Sequence, residues 1–388
     1  MTKSLALSCA VSAFVISLTL AVVQPVAGQL TLTRSTLDCG GGSSMGGALS
    51  LRGTIAQPDT GPAMFGGGLS VKGGFWLGGN FFVPPICDQW IAMASGIDGG
   101  AIWTLTSYRG ELVAGGEFLT AGGLTVNRIA RWDGTSWQPL GTGMNGAVFG
   151  LTVFEGQLIA GGGFTTAGGV SASRVARWNG SSWAPMGTGL ATNSGNSVYA
   201  LTTYNSQLIA SGFFGNGGGV NNIARWNGTG WQNLGSGLNN EVNAMTVYNG
   251  ELIAGGTFTS PATRIARWNG VSWQALGTGV NNTVWGLGVY GNELFASGVF
   301  TTAGGQGANY IARWNGSTWQ SAGGGMNTVV YSVMEYGGEL VAAGSFITAG
   351  GQPINHIARW NGSSCRPIGT GLVSSSLALT IYDEHLIA

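Results

Sequence analysis

The sequence predicts an all-β protein, a β-propeller, from three observations. A string of the type "IARWNGSSW" recurs six times, and its Arg-Trp pairs begin at 131, 177, 225, 267, 313 and 359, so the spacings are 46, 48, 42, 46 and 46 residues. Each repeat contains four short strand patterns separated by turn residues. The 388 residues combine 72 glycines with 10% aromatic residues, which supply a regular core. A period of this length with four strands per repeat is typical of propeller blades.

Residues 1–28 have the three parts of a secretory signal peptide. Lys3 precedes an apolar run from Leu5 to Val23, and Val26 and Gly28 are small residues just before Gln29. An uncleaved membrane anchor is the alternative, because the run is just long enough to span a bilayer. Polar residues within the run favour cleavage. We therefore expect a secreted, periplasmic or cell-surface protein with no membrane span after cleavage.

Residues 29–82 are predicted to form a small Gly-rich β module. The stretches "LTLTRSTLD", "ALSLRGTIA" and "LSVKGGFWLGG" alternate apolar and polar residues between glycine clusters, which indicates short strands in hairpins. The segment resembles a Gly-rich module ending in "GGFW" of secreted bacterial proteins. The sequence "VPP" at 83–85 marks a stiff boundary before the repeats.

Residues 87–388 are predicted to form the propeller, and the second repeat shows its plan. Strand patterns cover 148–154, 157–164, 174–178 and 182–189. Glu155-Gly156 predicts a two-residue turn between the first pair. Asn179-Gly180 predicts a type I′ turn between the last pair, because that turn needs positive φ at both positions.

The order of motifs within each repeat resembles the Kelch repeat. Four apolar residues lead to a glycine doublet in "QLIAGG" (157–162), and two spaced aromatics follow, as in Trp178 and Trp183. Tryptophan stands where Kelch repeats usually have tyrosine, and the doublet relaxes to Ser-Gly at 211–212 and 297–298 and to Ala-Gly at 343–344. The repeats are also similar to galactose oxidase-like central propellers, cortical polarity markers and bacterial surface proteins. The resemblance implies that the first strand is innermost and the fourth outermost, and it says little about function.

The repeat count predicts seven blades in a closed ring. Pairs of first and second strands occur seven times, ending with "LALTIYDEHLIA" at 377–388, whereas the Arg-Trp hairpin occurs six times. We expect "CDQWIAMASG" (87–96) to supply the missing outer strand, because Trp90 aligns with Trp137. Closure would remove exposed sheet edges. The chain stops at Ala388 before a third strand, so the closing blade is expected to be incomplete or the chain truncated.

The recurring hairpin is predicted to be structural. Each tryptophan ring is expected to bury roughly 150–250 Å² against a neighbouring blade. The arginine alternates with the tryptophan and faces the other side of the sheet, where we expect it to be satisfied internally. A Glu or Gln at the start of the second strand is its expected partner, at 111, 157, 207, 251, 293 and 339. The alternative is a ring of anion-binding arginines.

Composition and motifs argue against several functions. Charge is balanced at 15 basic and 15 acidic residues, so nucleic acid is not an expected partner. The two histidines are His356 and His385, and neither lies in a metal-binding or catalytic motif. We predict no metal, no cofactor and no enzymatic activity. The alternative is a secreted carbohydrate-active or oxidative enzyme with an unrecognised site in the channel; its acids would come from Glu117, Glu155, Glu241 or Glu335.

After export, three cysteines would remain. Cys365 takes the place of the second tryptophan of its repeat, where it is expected to act as a small hydrophobic residue. Cys39 and Cys87 could form a disulfide in an oxidising compartment. The pairing among the three is left open.

The predicted binding surface is the face that carries the longer connections, from second to third strand and from one repeat to the next. These connections vary in length and chemistry, as binding loops on a rigid scaffold do. The residue just before each third strand varies most; the candidate site residues are Arg128, Arg174, Asn222, Arg264, Tyr310 and His356. We expect them to form a polar and aromatic rim around the channel mouth of a monomeric scaffold that binds a protein or a glycan. Ordinary solvated loops are the alternative.

Overall fold

The computed structural model describes residues 90–190, 195–215 and 221–388, together with the backbone of five short strands between residues 5 and 71. Strands, turns and loops make up these described residues, with no helix among them. The chain divides into two units, residues 1–7 with 89–388 and residues 8–88. No helix in the described part of the chain is long and apolar enough to cross a membrane. Most of the predicted signal peptide lies outside the described residues.

The unit at 8–88 contains two strand pairs. Thr31–Thr36 pairs with Ser50–Thr54, and Met64–Gly66 pairs with Leu69–Val71. The second pair is antiparallel, as predicted for hairpins, but the first pair is parallel. The hairpin prediction is therefore wrong for the first pair, because strands that run in the same direction need a crossover rather than a tight turn.

The described repeats form six antiparallel four-stranded sheets, numbered 1 to 6 in chain order, in the arrangement of a β-propeller. Each sheet runs inner, second, third and outer strand. The inner strands are Ile102–Tyr108, Val148–Phe154, Ser197–Tyr204, Val242–Tyr248, Val284–Tyr290 and Val330–Tyr336. The second strands are Glu111–Gly116, Gln157–Gly162, Gln207–Phe213, Glu251–Gly256, Glu293–Gly298 and Glu339–Gly344.

The third and outer strands are shorter. The third strands are Ile129–Trp132, Val175–Trp178, Ile223–Trp226, Ile265–Trp268, Ile311–Trp314 and Ile357–Trp360. The outer strands are Trp137–Pro139, Trp183–Pro185, Trp231–Asn233, Trp273–Ala275, Trp319–Ser321 and Cys365–Pro367. The predicted strand order within each sheet is thus confirmed, although the outer strands are shorter than the sequence pattern indicated.

A further four-stranded sheet, the closing sheet, joins the two ends of the repeat region. Its order is Thr380–Tyr382, His385–Ile387, Leu5–Leu7 and Trp90–Ala92. The prediction that Trp90 lies in the same sheet as residues 377–388 is confirmed. Leu5–Leu7 holds the third position, which the sequence predicted to be missing; its backbone pairs with Trp90–Ala92 on one side and with Ile387 on the other.

Hydrogen bonds between successive sheets show that the ring closes. The hydroxyl of the tyrosine that ends an inner strand donates to a carbonyl in the first turn of the next sheet: Tyr204 to Gly250, Tyr248 to Asn292, Tyr336 to Glu384 and Tyr382 to Gly110, at 3.1–3.3 Å. The last of these joins the closing sheet to sheet 1. The inner strands therefore encircle a central channel.

The core lies between neighbouring sheets, and the outer-strand tryptophans seal it. The indole nitrogen of Trp183 donates to the Leu140 carbonyl of the preceding sheet at 2.9 Å, and Trp273 and Trp319 make the same bond to Leu234 and Leu276. Trp90 donates in the same way to Ile368 at 3.3 Å. The closing sheet thus repeats the contact that links the other sheets.

The turns differ from the prediction in one respect. Glu155 and Gly156 both have positive φ, as the two-residue turn requires. At Asn179-Gly180 only the glycine has positive φ, so a type I′ turn does not form. Trp178 pairs with Trp183, which makes the loop four residues long, and the Asn179 side-chain oxygen accepts hydrogen bonds from the backbone N–H groups of Ser181 and Ser182. The asparagine therefore caps the loop with its side chain.

In the four sheets that have a glutamate at the predicted partner position, the repeated arginine pairs with it but is not internal. Nitrogen–oxygen distances are 2.6 Å for Arg131–Glu111, 3.1 Å for Arg267–Glu251 and for Arg313–Glu293, and 3.4 Å for Arg359–Glu339. The arginine side chains of these pairs are 19–47% exposed, so the expectation of a fully internal arginine is wrong. The reason is that the outer half of each sheet lies near the rim, where the neighbouring sheet does not fully cover it.

Cysteine 365 occupies the outer-strand tryptophan position of sheet 6. It is half-buried and has a free thiol, and burial raises its pKa. Its sulfur lies 3.6 Å from the Gly323 carbonyl of the preceding sheet. The prediction of a small hydrophobic residue fits this partial burial. Cys39 and Cys87 lie outside the described residues.

Candidate functional site

The connections between strands divide into two faces, as the antiparallel order requires. The first turn of sheet 1 and the third-to-outer loop of sheet 2 lie side by side, where Arg109 donates to the Asn179 carbonyl at 3.4 Å. We call this side the turn face. The opposite side, the loop face, carries the second-to-third connections and the links between sheets, where Asn145 bonds to Thr165 and Thr166.

The loop face is held rigid by bonds between sheets. Among the described residues, small hairpins form in the second-to-third connections of sheets 1, 2, 5 and 6, with first strands Thr120–Ala121, Thr166–Ala167, Thr302–Ala303 and Thr348–Ala349. An asparagine in the preceding link accepts hydrogen bonds from two backbone N–H groups of the next connection; these asparagines are Asn145, Asn239, Asn281 and Asn327. These loops are therefore ordered parts of the scaffold.

The six predicted site residues share one backbone conformation. Each lies just before a third strand on the loop face with a φ between 60° and 72°, in the left-handed region; they are Arg128, Arg174, Asn222, Arg264, Tyr310 and His356. Such φ values are uncommon outside glycine. The repetition of this geometry in six sheets indicates a structural bend at the entry to the third strand.

The side chains at this bend point back to the scaffold. Arg128 donates to the Met144 carbonyl at 2.9 Å, Arg174 donates to the Gly163 carbonyl at 2.6 Å, and Arg264 donates to the Thr257 carbonyl. Burial lowers the pKa of Arg174. Arginines at this position therefore satisfy backbone oxygens of their own sheet or of the adjoining link.

The remaining three residues are also partly or fully enclosed. The Asn222 side chain accepts from the Phe214 N–H at 2.9 Å and donates to the Leu238 carbonyl at 2.8 Å, and Asn222 is 8% exposed. Tyr310 packs against the core between sheets 5 and 6, and His356 is half-buried. Four of the six predicted side chains thus hydrogen-bond to the scaffold. The rim around the channel mouth and ligand binding by its residues stay predictions.

A different position of the repeat brings aromatic side chains together at the loop face. Every inner strand of sheets 1 to 6 has a β-bulge after its first or second residue. The bulged residues are Trp103, Phe149, Tyr199, Asn243, Trp285 and Tyr331. Bulges re-aim a side chain without ending the strand, and they are common near binding sites. We call the five aromatic members the aromatic girdle.

Three girdle residues contact one another across sheets 1 to 3. The ring centroids of Trp103 and Phe149 are 5.7 Å apart, and those of Phe149 and Tyr199 are 5.5 Å apart, both in edge-to-face geometry. The girdle is partly open to solvent, and Trp285 is 40% exposed. At sheet 4 the girdle is interrupted, because Asn243 donates instead to the Val284 carbonyl at 3.1 Å. The channel mouth is thus apolar with a polar gap.

Tyr199 is the girdle residue whose electrostatics are perturbed. Burial raises its pKa, and the charge of Glu241 raises it further. The phenol therefore stays neutral and keeps its proton as a hydrogen-bond donor. The carboxylate of Glu241 places one negative charge on the side of the channel where the girdle is interrupted.

The girdle offers partly exposed aromatic surface at the channel mouth. Half-exposed aromatic rings stack on sugar rings or on apolar side chains. In the described parts of the chain, no group of three or more His, Cys, Asp or Glu side chains is arranged to hold a metal ion. The sequence-based prediction missed this position because it took variable loop residues as candidates, whereas the bulged residue lies within a strand. The available signal was that this residue is aromatic in five of the six repeats.

Comparison with known proteins supports no assignment to a family. No family model matches the chain, and no curated protein matches it. Among solved structures, the computationally designed protein Ika8 is similar, with 14% identity and a TM-score of 0.47 over 75% of this chain and 96% of that one. The WD40 β-propeller domain of Doa1 is similar with 12% identity and a TM-score of 0.47, over 75% of this chain and 94% of that one.

Proposed function

We propose that this protein is a secreted or cell-surface β-propeller that acts as a non-enzymatic, monomeric scaffold and binds a protein or a glycan through its loop face. The aromatic girdle carries the proposal. Apolar rings exposed at a channel mouth lose contact with water when a ligand covers them. Bulges at the same place in six strands keep these rings there on a rigid frame.

The proposed architecture is a seven-bladed ring of the Kelch type. Six four-stranded sheets and the closing sheet support the count in the described residues. The glycine doublet of the Kelch-like motif has a physical reason: a Cβ atom on Gly161 would collide with the Val198 side chain of the next sheet. Close approach of blades therefore favours glycine at this position.

Export is proposed from the sequence of residues 1–28. Cleavage there would remove Leu5–Leu7 and vacate the third position of the closing sheet. Sequencing the N-terminus of the exported protein tests this point. We expect it to begin at Gln29; a start at Met1 would contradict cleavage.

The girdle variant Phe149→Ala tests the binding proposal. Phe149 contacts two other rings of the girdle, so its loss should open the channel mouth. Val153→Ala is the matched control, because Val153 is 38% exposed on the same strand and lies toward the turn face. The probes are an array of immobilised oligosaccharides and a displayed random peptide library.

We expect the unmodified protein and Val153→Ala to retain the same probes, and Phe149→Ala to lose them. Retention that is unchanged in Phe149→Ala and in Trp285→Ala would contradict a site at the girdle. A screen of the purified protein for glycoside hydrolysis and alcohol oxidation, with and without added metal ions, tests the non-enzymatic part. Turnover in that screen would contradict it.

A further inference from the structure

A cavity opens between sheets 4 and 5, away from the girdle. Its volume is about 360 Å³. Its polar walls come from Glu251 and Arg267 of sheet 4, and Trp314 of sheet 5 forms an aromatic wall. Asn249 and Gly316, in turns of the turn face, lie at its edge. Small-molecule sites begin at about 300 Å³, so this cavity suits one or two small rings.

The aromatic wall of the cavity is more open than the tryptophan of most other repeats. Trp314 is half-buried, as is Trp226, whereas the equivalent Trp132, Trp178, Trp268 and Trp360 are 6–9% exposed. Trp314 is held in place by its partner Trp319, at a centroid distance of 5.4 Å. One surface of a fixed indole ring is therefore available to a ligand.

The next junction shows how the same space is filled elsewhere. Sheet 5 has Phe295 where sheet 4 has Ile253. The ring of Trp360 lies 5.6 Å from Phe295 and 6.1 Å from Tyr290, and the Arg313 guanidinium lies over it at 5.7 Å. Three side chains thus pack on Trp360, whereas its equivalent at the earlier junction, Trp314, faces a cavity.

The polar wall places hydrogen-bond donors beside acceptors. Arg267 and Glu251 are 3.1 Å apart, and their side chains are 47% and 28% exposed, so both keep hydrogen-bonding capacity toward the solvent. A guanidinium only donates and a carboxylate only accepts. Neighbouring hydroxyl groups of a sugar do both, and can bond to the two side chains together. The pair is neutral overall, which gives an ionic ligand no net attraction.

We propose that this cavity binds a neutral pyranose sugar, with one sugar face on the Trp314 ring and adjacent hydroxyls on Arg267 and Glu251. The C–H groups of a pyranose face are apolar, and tryptophan offers a rigid apolar surface for them. The charged pair supplies the stronger kind of hydrogen bond. This site lies on different residues from the girdle and does not depend on the function proposed for the loop face.

The test uses the full chain and a panel of methyl glycosides of glucose, galactose, mannose, fucose and N-acetylglucosamine. Binding is measured by saturation-transfer NMR and by titration of tryptophan fluorescence. We expect at least one glycoside to bind with a dissociation constant on the order of 1 mM. If none of the five binds at concentrations up to about 50 mM, far above that constant, the proposal is wrong.

Matched variants locate the site. Arg267→Ala should weaken binding about tenfold or more, because it removes a charged hydrogen-bond donor. Arg313→Ala removes the equivalent arginine at the filled junction and should leave the affinity unchanged. Equal losses in both variants, or no loss in Arg267→Ala, would overturn the assignment.

A second variant fills the cavity and leaves its polar wall intact. Ile253→Phe copies the side chain that sheet 5 already accommodates at Phe295, and should abolish glycoside binding with little change in the melting temperature. Sugar binding that survives this change would contradict the proposal. Phe149→Ala, the girdle variant, should leave glycoside affinity unchanged, so failure of one site is distinguishable from failure of the other.

Discussion

Two rings of aromatic side chains encircle this protein, and they have opposite surroundings. The outer tryptophan ring, made by the third-strand and outer-strand tryptophans, lies mostly in the contacts between sheets; Trp183 is 5% exposed and bonds to the preceding sheet. The aromatic girdle lies at the channel mouth, where Trp285 is 40% exposed. The same residue type thus stabilises the ring in one place and is available to a ligand in the other. The position of a tryptophan within the blade decides whether it is buried or exposed.

The largest expected effect comes from removing one tryptophan from each ring. Trp183→Ala should lower the free energy of unfolding by about 3–5 kcal/mol, because it leaves a large cavity and an unpaired carbonyl. Trp285→Ala should cost about 1–2 kcal/mol, because much of its surface is already in water. Chemical denaturation of both variants measures the difference. Equal costs would show that the girdle is also structural.

Substitutions just before the third strands test whether the predicted site residues are structural, like the outer tryptophans, or available to a ligand, like the girdle. Asn222→Ala should cost about 1–3 kcal/mol, because it leaves the Phe214 N–H and the Leu238 carbonyl without their buried partner. His356→Asn is the control, since asparagine tolerates the left-handed φ of this bend. A melting temperature that Asn222→Ala does not change would contradict a structural role for this side chain.

In sheets 1 to 6, Cys365 is the one residue that replaces a tryptophan of the outer tryptophan ring. Restoring tryptophan there should increase stability. Cys365 leaves a small void beside Ala322, Met326 and Trp360. Cys365→Trp should raise the free energy of unfolding by about 0.5–2 kcal/mol, because it fills this space and restores an indole donor to the preceding sheet. Thermal melts beside Cys365→Ala measure it. A lower melting temperature would show that Trp360 has already occupied the space.

The smallest expected effect concerns the loop that joins the two tryptophans of sheet 1. Asp133 takes the place of the asparagine found in the other five repeats. Hydrogen bonds from the Ser136 backbone and from Thr135 hold the pKa of Asp133 well below its ordinary value of 3.8. Because the folded pKa is the lower one, this contribution is present above pH 4 and is lost as the pH falls below it.

Asp133→Asn should therefore remove a small part of the acid sensitivity of the fold and leave stability at pH 7 nearly unchanged. Melting temperatures at pH 7 and at pH 2.5, for this variant and for the unmodified protein, measure the effect. A larger drop at acid pH in the asparagine variant would contradict the hydrogen-bonding role of the carboxylate.

Local patterns in the sequence determined the repeat and the pairing of Arg267 with Glu251, and the resemblance to Kelch repeats supplied the strand order. The repeat depends on residues close in the chain, and the pair depends on residues diagonal to each other on adjacent strands. The inner strand 148–154 was predicted to the residue, because alternating side chains and a two-residue turn fix its ends. The distance from Trp90 to the next inner strand, which matches that from Trp137, also identified Trp90 as part of the outer strand of the closing sheet.

The tertiary structure decided which repeated residues meet solvent. The bulge that turns Phe149 toward Trp103 depends on the packing of one blade against the next. The hydrogen bonds of Arg174 and Asn222 to the scaffold depend on a backbone bend that the residue types alone do not predict. Ile253 lines the cavity beside Trp314, whereas Phe295 occupies the equivalent position at the filled junction. Contacts between blades join residues some 40–50 positions apart, and no short pattern in the sequence encodes how two such surfaces fill the space between them.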